Sequence, residues 1–300
     1  MSKKIALFPG QGSQYIGMGQ KISEEFSPAK DLLNQANEIL GINISKIMFE
    51  GPEEELKQTQ NTQPALFVCS AMVDLYLKSQ NISTDYVAGH SLGEYSAIYS
   101  AGGFDFEAGL KLVRLRGELM ASAGDKSPGA MSAIVGMSDE DVIAALSSYN
   151  NSGVVAANFN CPGQVVVSGE VDAVKGFGEV LSEQGKRVIP LPVSGAFHSP
   201  LMEFAVPGLT EGIEATSFKS LNTPLIANVS AELVTEPEVI KSSLVSQLTG
   251  SVLWTKSMEK AVSLEVTEAL EVGAGKVLFG LMRKISRGVK VKPVESSANL

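Results

Sequence analysis

Short apolar runs alternate with longer stretches in which apolar residues recur every three to four positions, and this rhythm sets the expected architecture. The run KIALF (4–8) ends in a glycine-rich turn, FPGQGSQ, and helical spacing then continues to residue 50. A further helical stretch runs from Gln63 to Lys78. DYVAGHS (85–91) is a second strand leading into a helix. Strand followed by helix, repeated, predicts an α/β domain with a mainly parallel sheet.

The rhythm changes at AGDKSPGAMSAIVG, where glycine and proline mark a boundary. The pattern then predicts a strand (Met131 to Val135), a helix (Asp139 to Tyr149) and two strands, VVAANF and QVVVSG, joined by NCPG. A helix (Val171 to Gln184) and a last strand, KRVIPL, complete the segment. Ser138 caps the first of these helices, with Asp141 at the position a capping box fills with Glu or Gln. The order βαββαβ is that of a ferredoxin-like unit. The expected organisation is a small domain, 128–195, inserted into a large one made of 1–127 and 196–300, with no internal repeat.

Composition narrows the function. The 300 residues, 44% hydrophobic and 19% charged, suffice for a sizeable core. With 33 acidic against 24 basic residues the net charge is −9, unsuited to binding nucleic acid, which needs a basic surface. The N-terminus has too few apolar residues for a signal peptide and no later run is long enough to span a bilayer, so the chain is expected in the cytoplasm. Two cysteines are too few for a disulfide framework or a zinc site. Cys69 has the spacing of a core thiol. Cys161 lies in the turn-like NFNCPGQ, where a nucleophilic role is the alternative.

The candidate chemistry centres on YVAGHSLGEYSA (86–97). Gly89-x-Ser91-x-Gly93 between a strand and a helix is the pattern of a serine nucleophile on a sharp turn; the competing reading is a glycine-rich strand end with a capping serine. A serine nucleophile needs a base, and the chain has two histidines. His90 adjoins Ser91, its side chain directed away, and is read as a structural hydrogen bond beneath the turn. His198, in LPVSGAFHSPLM, is the base by elimination. An oxyanion would find the backbone N–H of Leu92 at a helix start, with a second donor from Gln11 between two glycines. Neither FPGQGSQ nor EVGAGKVLFG satisfies the dinucleotide or Walker pattern. Arg116, on the helical stretch with Leu112, Leu115 and Leu119 as its apolar face and Arg114 beside it, could fork a carboxylate; by default it is a solvated arginine.

Together, FPGQGSQ, TQNTQPALF, GHSLGEYSA, the arginine of LRGELM, NFNCPGQVVVSG, PVSGAFHSPLM, QLTGSVLWTKSM and EVGAGKVL resemble, in order and spacing from Lys4 to about Lys284, the malonyl-CoA:acyl-carrier-protein transacylases of bacterial fatty-acid synthesis. The resemblance implies an α/β-hydrolase-like core with a ferredoxin-like insert and the site in the cleft between them. It implies Ser91 as the malonylated nucleophile, His198 as its base, and Gln247 offering its main-chain carbonyl to the histidine in place of a carboxylate. Arg116 would grip the malonyl carboxylate, and the amides of Gln11 and Leu92 would form the oxyanion hole. His90, Asn160 and Phe197 join the substrate-binding set. AFH before the base and Leu92 after the serine favour malonyl over methylmalonyl, since Phe197 would crowd an α-methyl branch.

The implied partners are malonyl-CoA and a holo acyl carrier protein, with no metal or redox cofactor. Carrier proteins of this kind are acidic. The docking candidates are therefore basic: Arg283, Lys284 and Arg287, near Lys290 and Lys292, with Lys186 and Arg187 in the small domain; the competing reading is a solvated basic face. The chain is expected to be a monomer. Alternatives are a malonyltransferase of polyketide synthesis, a serine thioesterase or esterase that would not need Arg116, and a non-catalytic carrier-binding module.

Overall fold

The structure is a computed structural model that describes residues 2–193 and 195–299; Ser194, within the PVSGAFHSPLM segment, lies outside the described residues. Among the described residues ten strands appear in chain order: β1 (Lys3–Phe8), β2 (Tyr86–Gly89), β3 (Ala130–Val135), β4 (Val154–Cys161), β5 (Gln164–Gly169), β6 (Arg187–Pro190), β7 (Leu225–Ile226), β8 (Leu233–Val234), β9 (Val266–Val272) and β10 (Lys290–Val294). Six form one sheet in the order β10-β9-β1-β2-β7-β8. Its pairings are parallel except for the edge strand β8, which runs antiparallel to β7.

β1 is central because both its faces are apolar. Ile5 and Leu7 pack with Ala88, Trp254 and Met258 on one side of the sheet. Ala6 and Phe8 pack on the other side against the helix Thr59–Ser79. Strands covered on both faces read as continuous apolar runs, as KIALF does. The helix itself begins at Thr59, before the expected Gln63, with Pro64 in its second turn. A proline there leaves the carbonyl four residues earlier without its donor. That carbonyl, on Gln60, accepts from the Arg114 guanidinium at 3.0 Å, which lets the helix run through the proline.

β3 to β6 form a second, wholly antiparallel sheet in the order β4-β5-β3-β6. The helices Asp139–Ser148 and Val171–Glu183 pack against it, and the whole is a ferredoxin-like βαββαβ arrangement. Ser138 caps the first helix, accepting from Asp141 N–H at 3.1 Å. An isolated antiparallel bridge, Pro128 with Gly195, ties the segment entering this sheet to the one leaving it. Cys161 is not in a turn, as its surroundings suggested: β4 continues through it and the turn shrinks to Pro162 and Gly163. Its thiol is buried, which pushes its pKa up.

The two sheets meet at β4. Phe159 N–H donates to the Val252 carbonyl, and Val252 N–H donates to the Ala157 carbonyl, both at 2.9 Å. Ser251 and Thr255 hydroxyls donate to the carbonyls of Ala156 and Phe159 at 2.7 and 3.1 Å. The QLTGSVLWTKSM segment is thereby laced onto the small sheet. Among the described residues no helix is long and apolar enough to cross a membrane.

Candidate active site

At the carboxyl end of β2 the main chain turns so sharply that three glycines are pressed against backbone. A Cβ on Gly89 would lie 1.9 Å from Gly93 C and O, one on Gly93 2.0 Å from Phe8 O, and one on Gly10 2.2 Å from His90 O. Ser91 sits at the apex with φ 50° and ψ −106°, and the helix Leu92–Ser100 starts directly after it. A non-glycine residue with that φ is held there only by its surroundings. Here the surroundings are specific: Ser91 N–H donates to Asn228 Oδ1 at 2.8 Å, and Asn228 Nδ2 donates to the Gly89 carbonyl at 2.7 Å. Gln247 Nε2 donates to the Ser91 carbonyl at 3.0 Å.

Ser91 Oγ lies 2.8 Å from His198 Nε2, and His198 Nδ1 lies 2.8 Å from the Gln247 carbonyl oxygen. A carbonyl only accepts, so Nδ1 carries the proton and Nε2 offers its lone pair to the serine hydroxyl. His198 also takes a left-handed φ of 57°. Burial, and after it the positive charge of Arg116, hold the His198 pKa down to about 3, so the imidazole is neutral near pH 7.

Arg116 is not solvated. It is 1% exposed, on the inward side of the helix Phe106–Ala121, whereas Leu115 and Leu119 are half-buried against Gly212 and Gly208 of the helix Val206–Ala215. Its NH2 donates to Ser91 Oγ at 3.0 Å and to Gln247 Oε1 at 2.9 Å, its NH1 to Gln63 Oε1 at 2.8 Å, and it lies 5.3 Å from the centre of the Tyr95 ring. Its buried Nε has no partner among the described residues. Among the described residues no carboxylate comes within salt-bridge distance of it. Burial lowers its pKa, yet a guanidinium stays charged. A desolvated cation with spare donors beside a serine is a site for an anion.

The other predicted positions fall around this core. Gly10, packed on the His90 carbonyl, brings the turn after β1 against the elbow, and Gln11 follows it. The backbone N–H groups of Gln11 and Leu92 have no hydrogen-bond partner among the described residues. His90 Nε2 and Asn160 Oδ1 are 2.8 Å apart, a second tie between the elbow and β4, and the imidazole packs 5.5 Å from the Trp254 ring. Phe197 is buried against Gly195 in the main core. The basic candidates are exposed and form two groups. Arg283 and Lys284 lie in the last turn of the helix Val277–Ile285 near β4, with Arg287 just beyond, Arg187 opens β6 and Lys186 directly precedes it. Cys161, Gln164, Val135 and Arg187 share one row across the small sheet, with β4 and β6 as its two edges about 14 Å apart at normal strand spacing, so the two groups lie by opposite edges of the same end.

Three residues of the site carried no recognised signal in the sequence. Gln63, inside TQNTQPALF, anchors Arg116. Asn228 braces the elbow. Glu94, in the first turn after Ser91, accepts from Asn228 N–H at 3.0 Å and, through its other oxygen, from Gln247 Nε2. A groove of about 380 Å³ between the helices Phe106–Ala121 and Val206–Ala215 contains none of these groups.

Residues 6–296 match the acyl transferase domain family. The chain is 45% identical over 293 residues to a malonyl CoA-acyl carrier protein transacylase of Bacillus subtilis, covering 97% of this chain and 92% of that one. It is 42% identical to a polyketide biosynthesis malonyl CoA-acyl carrier protein transacylase of the same organism, over 96% and 98% of the two chains. The crystal structure of an acyl carrier protein S-malonyltransferase from Vibrio cholerae superposes with a TM-score of 0.95 at 38% identity, covering 99% of this chain and 98% of that one. A serine elbow, a histidine held by a main-chain carbonyl and a buried unpaired arginine thus stand in a chain that belongs, over nearly its whole length, to the malonyl-CoA:acyl-carrier-protein transacylases of the acyl transferase domain family.

Proposed function

We propose that the protein moves a malonyl group from malonyl-CoA to the phosphopantetheine thiol of an acyl carrier protein through a malonyl ester on Ser91, supplying fatty-acid synthesis. The observation that carries this reading is Arg116: a fully buried cation, 3.0 Å from the Ser91 hydroxyl and with no carboxylate in salt-bridge range among the described residues, suits an acyl group that ends in one. An esterase for neutral acyl groups would gain nothing from it.

His198 Nε2 takes the Ser91 proton as Oγ attacks the thioester carbonyl. The oxyanion forms against the amides of Gln11 and Leu92, the second at a helix start where the macrodipole also favours negative charge. The tetrahedral species collapses by breaking the carbon–sulfur bond, and His198 returns the proton to the departing CoA thiol. In the second half the carrier thiol attacks the ester, His198 taking the thiol proton and passing it to Ser91 Oγ. The neutral state of His198 near pH 7 suits both halves. The malonyl carboxylate, paired with Arg116, would also offset the charge that depresses the imidazole.

For the carrier, the basic groups at one end of the small sheet offer complementary charge. Reversing Lys284 and Arg287 should slow transfer to carrier protein and flatten its salt dependence while leaving self-acylation unchanged. The reading as a whole is tested by intact-protein mass after brief mixing with malonyl-CoA. One malonyl adduct on the wild type, none on Ser91→Ala, and its discharge by holo carrier protein are expected; no adduct with steady release of CoA would mean a hydrolase instead.

A further inference from the structure

Glu94 is 1% exposed, and both its oxygens are engaged by groups from elsewhere in the chain. One accepts from the Asn228 backbone N–H at 3.0 Å and the other from the Gln247 side-chain amide. These two partners reach the nucleophile, its base and the arginine. Asn228 holds the Ser91 N–H and the Gly89 carbonyl. Gln247 holds the Ser91 carbonyl with Nε2, Arg116 with Oε1 and His198 with its main-chain carbonyl.

The chemistry of this position calls for a carboxylate. Both partners are N–H donors, so the group between them must accept twice and donate nowhere, which an ionised carboxylate does and an amide does not. The same charge orients Gln247. With its nitrogen toward Glu94, its oxygen faces the Arg116 cation; turned over, it would set oxygen against carboxylate and NH2 against guanidinium.

We propose that Glu94 is a positioning residue for the transfer: through Asn228 and the Gln247 amide it fixes the Ser91 elbow and the pose in which Arg116 meets the substrate carboxylate. The Arg116 half rests on the malonyl-transfer reading above, whereas the elbow half does not. Burial raises the Glu94 pKa to about 7, against the pull of the Asn228 and Gln247 hydrogen bonds and the Arg116 charge. Protonation puts a donor where two donors already point, and one bond is given up. The titratable or charged groups around it are Arg116, Tyr95 and, beyond Gln247, His198. Arg116 stays a cation and, with no carboxylate bound to it, Tyr95 is pushed up to about 12 and His198 down to about 3, so in the free protein Glu94 is the member of this set that titrates between pH 5.5 and 8.5.

The test is the single-turnover rate of Ser91 acylation by malonyl-CoA, with phenylmethanesulfonyl fluoride as a serine probe that needs no carboxylate site, on wild type and Glu94→Gln from pH 5.5 to 8.5. Wild-type sulfonylation, which brings no carboxylate to Arg116 and leaves His198 depressed, should slow progressively below about pH 7. Glu94→Gln, folded by circular dichroism, should be acylated about 100-fold more slowly, the scale of a misplaced reacting group, and its rate should no longer bend near pH 7. A folded Glu94→Gln with the wild-type rate and profile would overturn the proposal. Where Glu94→Gln fails to fold, a folded Asn228→Ala acylated and sulfonylated at the wild-type rates would overturn it, because the elbow half is routed through that side chain. Slower sulfonylation of Glu94→Gln with no malonyl adduct on either protein would sink the malonyl reading and leave the elbow role standing. Equal malonylation of both proteins would do the reverse.

Discussion

Two strands of the large sheet end in glycine-bearing turns that lead to a helix, with a glutamate buried beside each: β2 with Glu94 and β9 with Glu271. Burial pushes both carboxyls up to about 7. Their use differs. After β9, the Glu271 oxygens accept from the N–H groups of Leu278 and Phe279, both at 2.8 Å, so the start of the helix Val277–Ile285 is filled by the chain's own carboxyl group. After β2, Asn228 takes the Ser91 N–H, Glu94 faces Asn228 and Gln247, and the Leu92 N–H is left without a partner among the described residues. A helix start becomes a place for chemistry when the protein withholds its own acceptors from it. A perturbed buried acid is common to both ends and does not by itself tell them apart.

Substitutions at the two ends should therefore separate rate from stability. The largest effect belongs to the open end: Arg116→Ala should lower acylation by malonyl-CoA by about 10²- to 10³-fold, the usual cost of truncating one partner of a buried charge pair, while acetyl-CoA loses far less. Equal losses for the two thioesters would remove the arginine from substrate choice. At the filled end, Glu271→Ala should cost about 1–3 kcal/mol in denaturant unfolding near pH 5, with acylation per folded molecule unchanged. The sign of its pH dependence is fixed. With its pKa raised from 4.5 to about 7, folded Glu271 keeps a proton that the unfolded chain has lost, so its contribution to stability declines as pH rises through that interval. The cost of Glu271→Ala should shrink toward pH 8; a cost that grew would contradict the assignment. His198 acts in the opposite sense between about 3 and 6.5, so the comparison must be the difference between the two proteins. The smallest effect is expected at the tie between the elbow and β4: Asn160→Ala, which frees His90, should slow acylation by about fivefold, the worth of one hydrogen bond.

What could be read from the sequence follows from how local each signal is. Gly89, Ser91 and Gly93 lie within five residues, and two histidines leave little choice of base, so Ser91 and His198 stood out before any coordinates. The strand and helix order of the small sheet was equally plain, because its periods are short and its turns carry glycine. Arg114 and Arg116 were harder: two positions apart on a helix they point roughly 200° apart, and one sequence does not say which face turns inward. Glu94, Asn228 and Gln63 gave no signal, since an amide or a carboxyl acquires its role from partners 53 to 153 residues away. The early start of the helix Thr59–Ser79 was hidden for the same reason, because Arg114 supplies the donor that Pro64 lacks.

The three glycines of the elbow bear on how this scaffold can be redesigned. The atoms that a Cβ at Gly10, Gly89 or Gly93 would strike are main-chain carbons, nitrogens and oxygens, which no repacking of side chains can move aside. In a library of variants these positions should tolerate nothing, whereas Gln63 and Arg116, which meet side chains and the serine hydroxyl, can be exchanged without displacing main chain. New acyl preferences are thus to be sought around the elbow, with the turn itself carried through every variant unchanged.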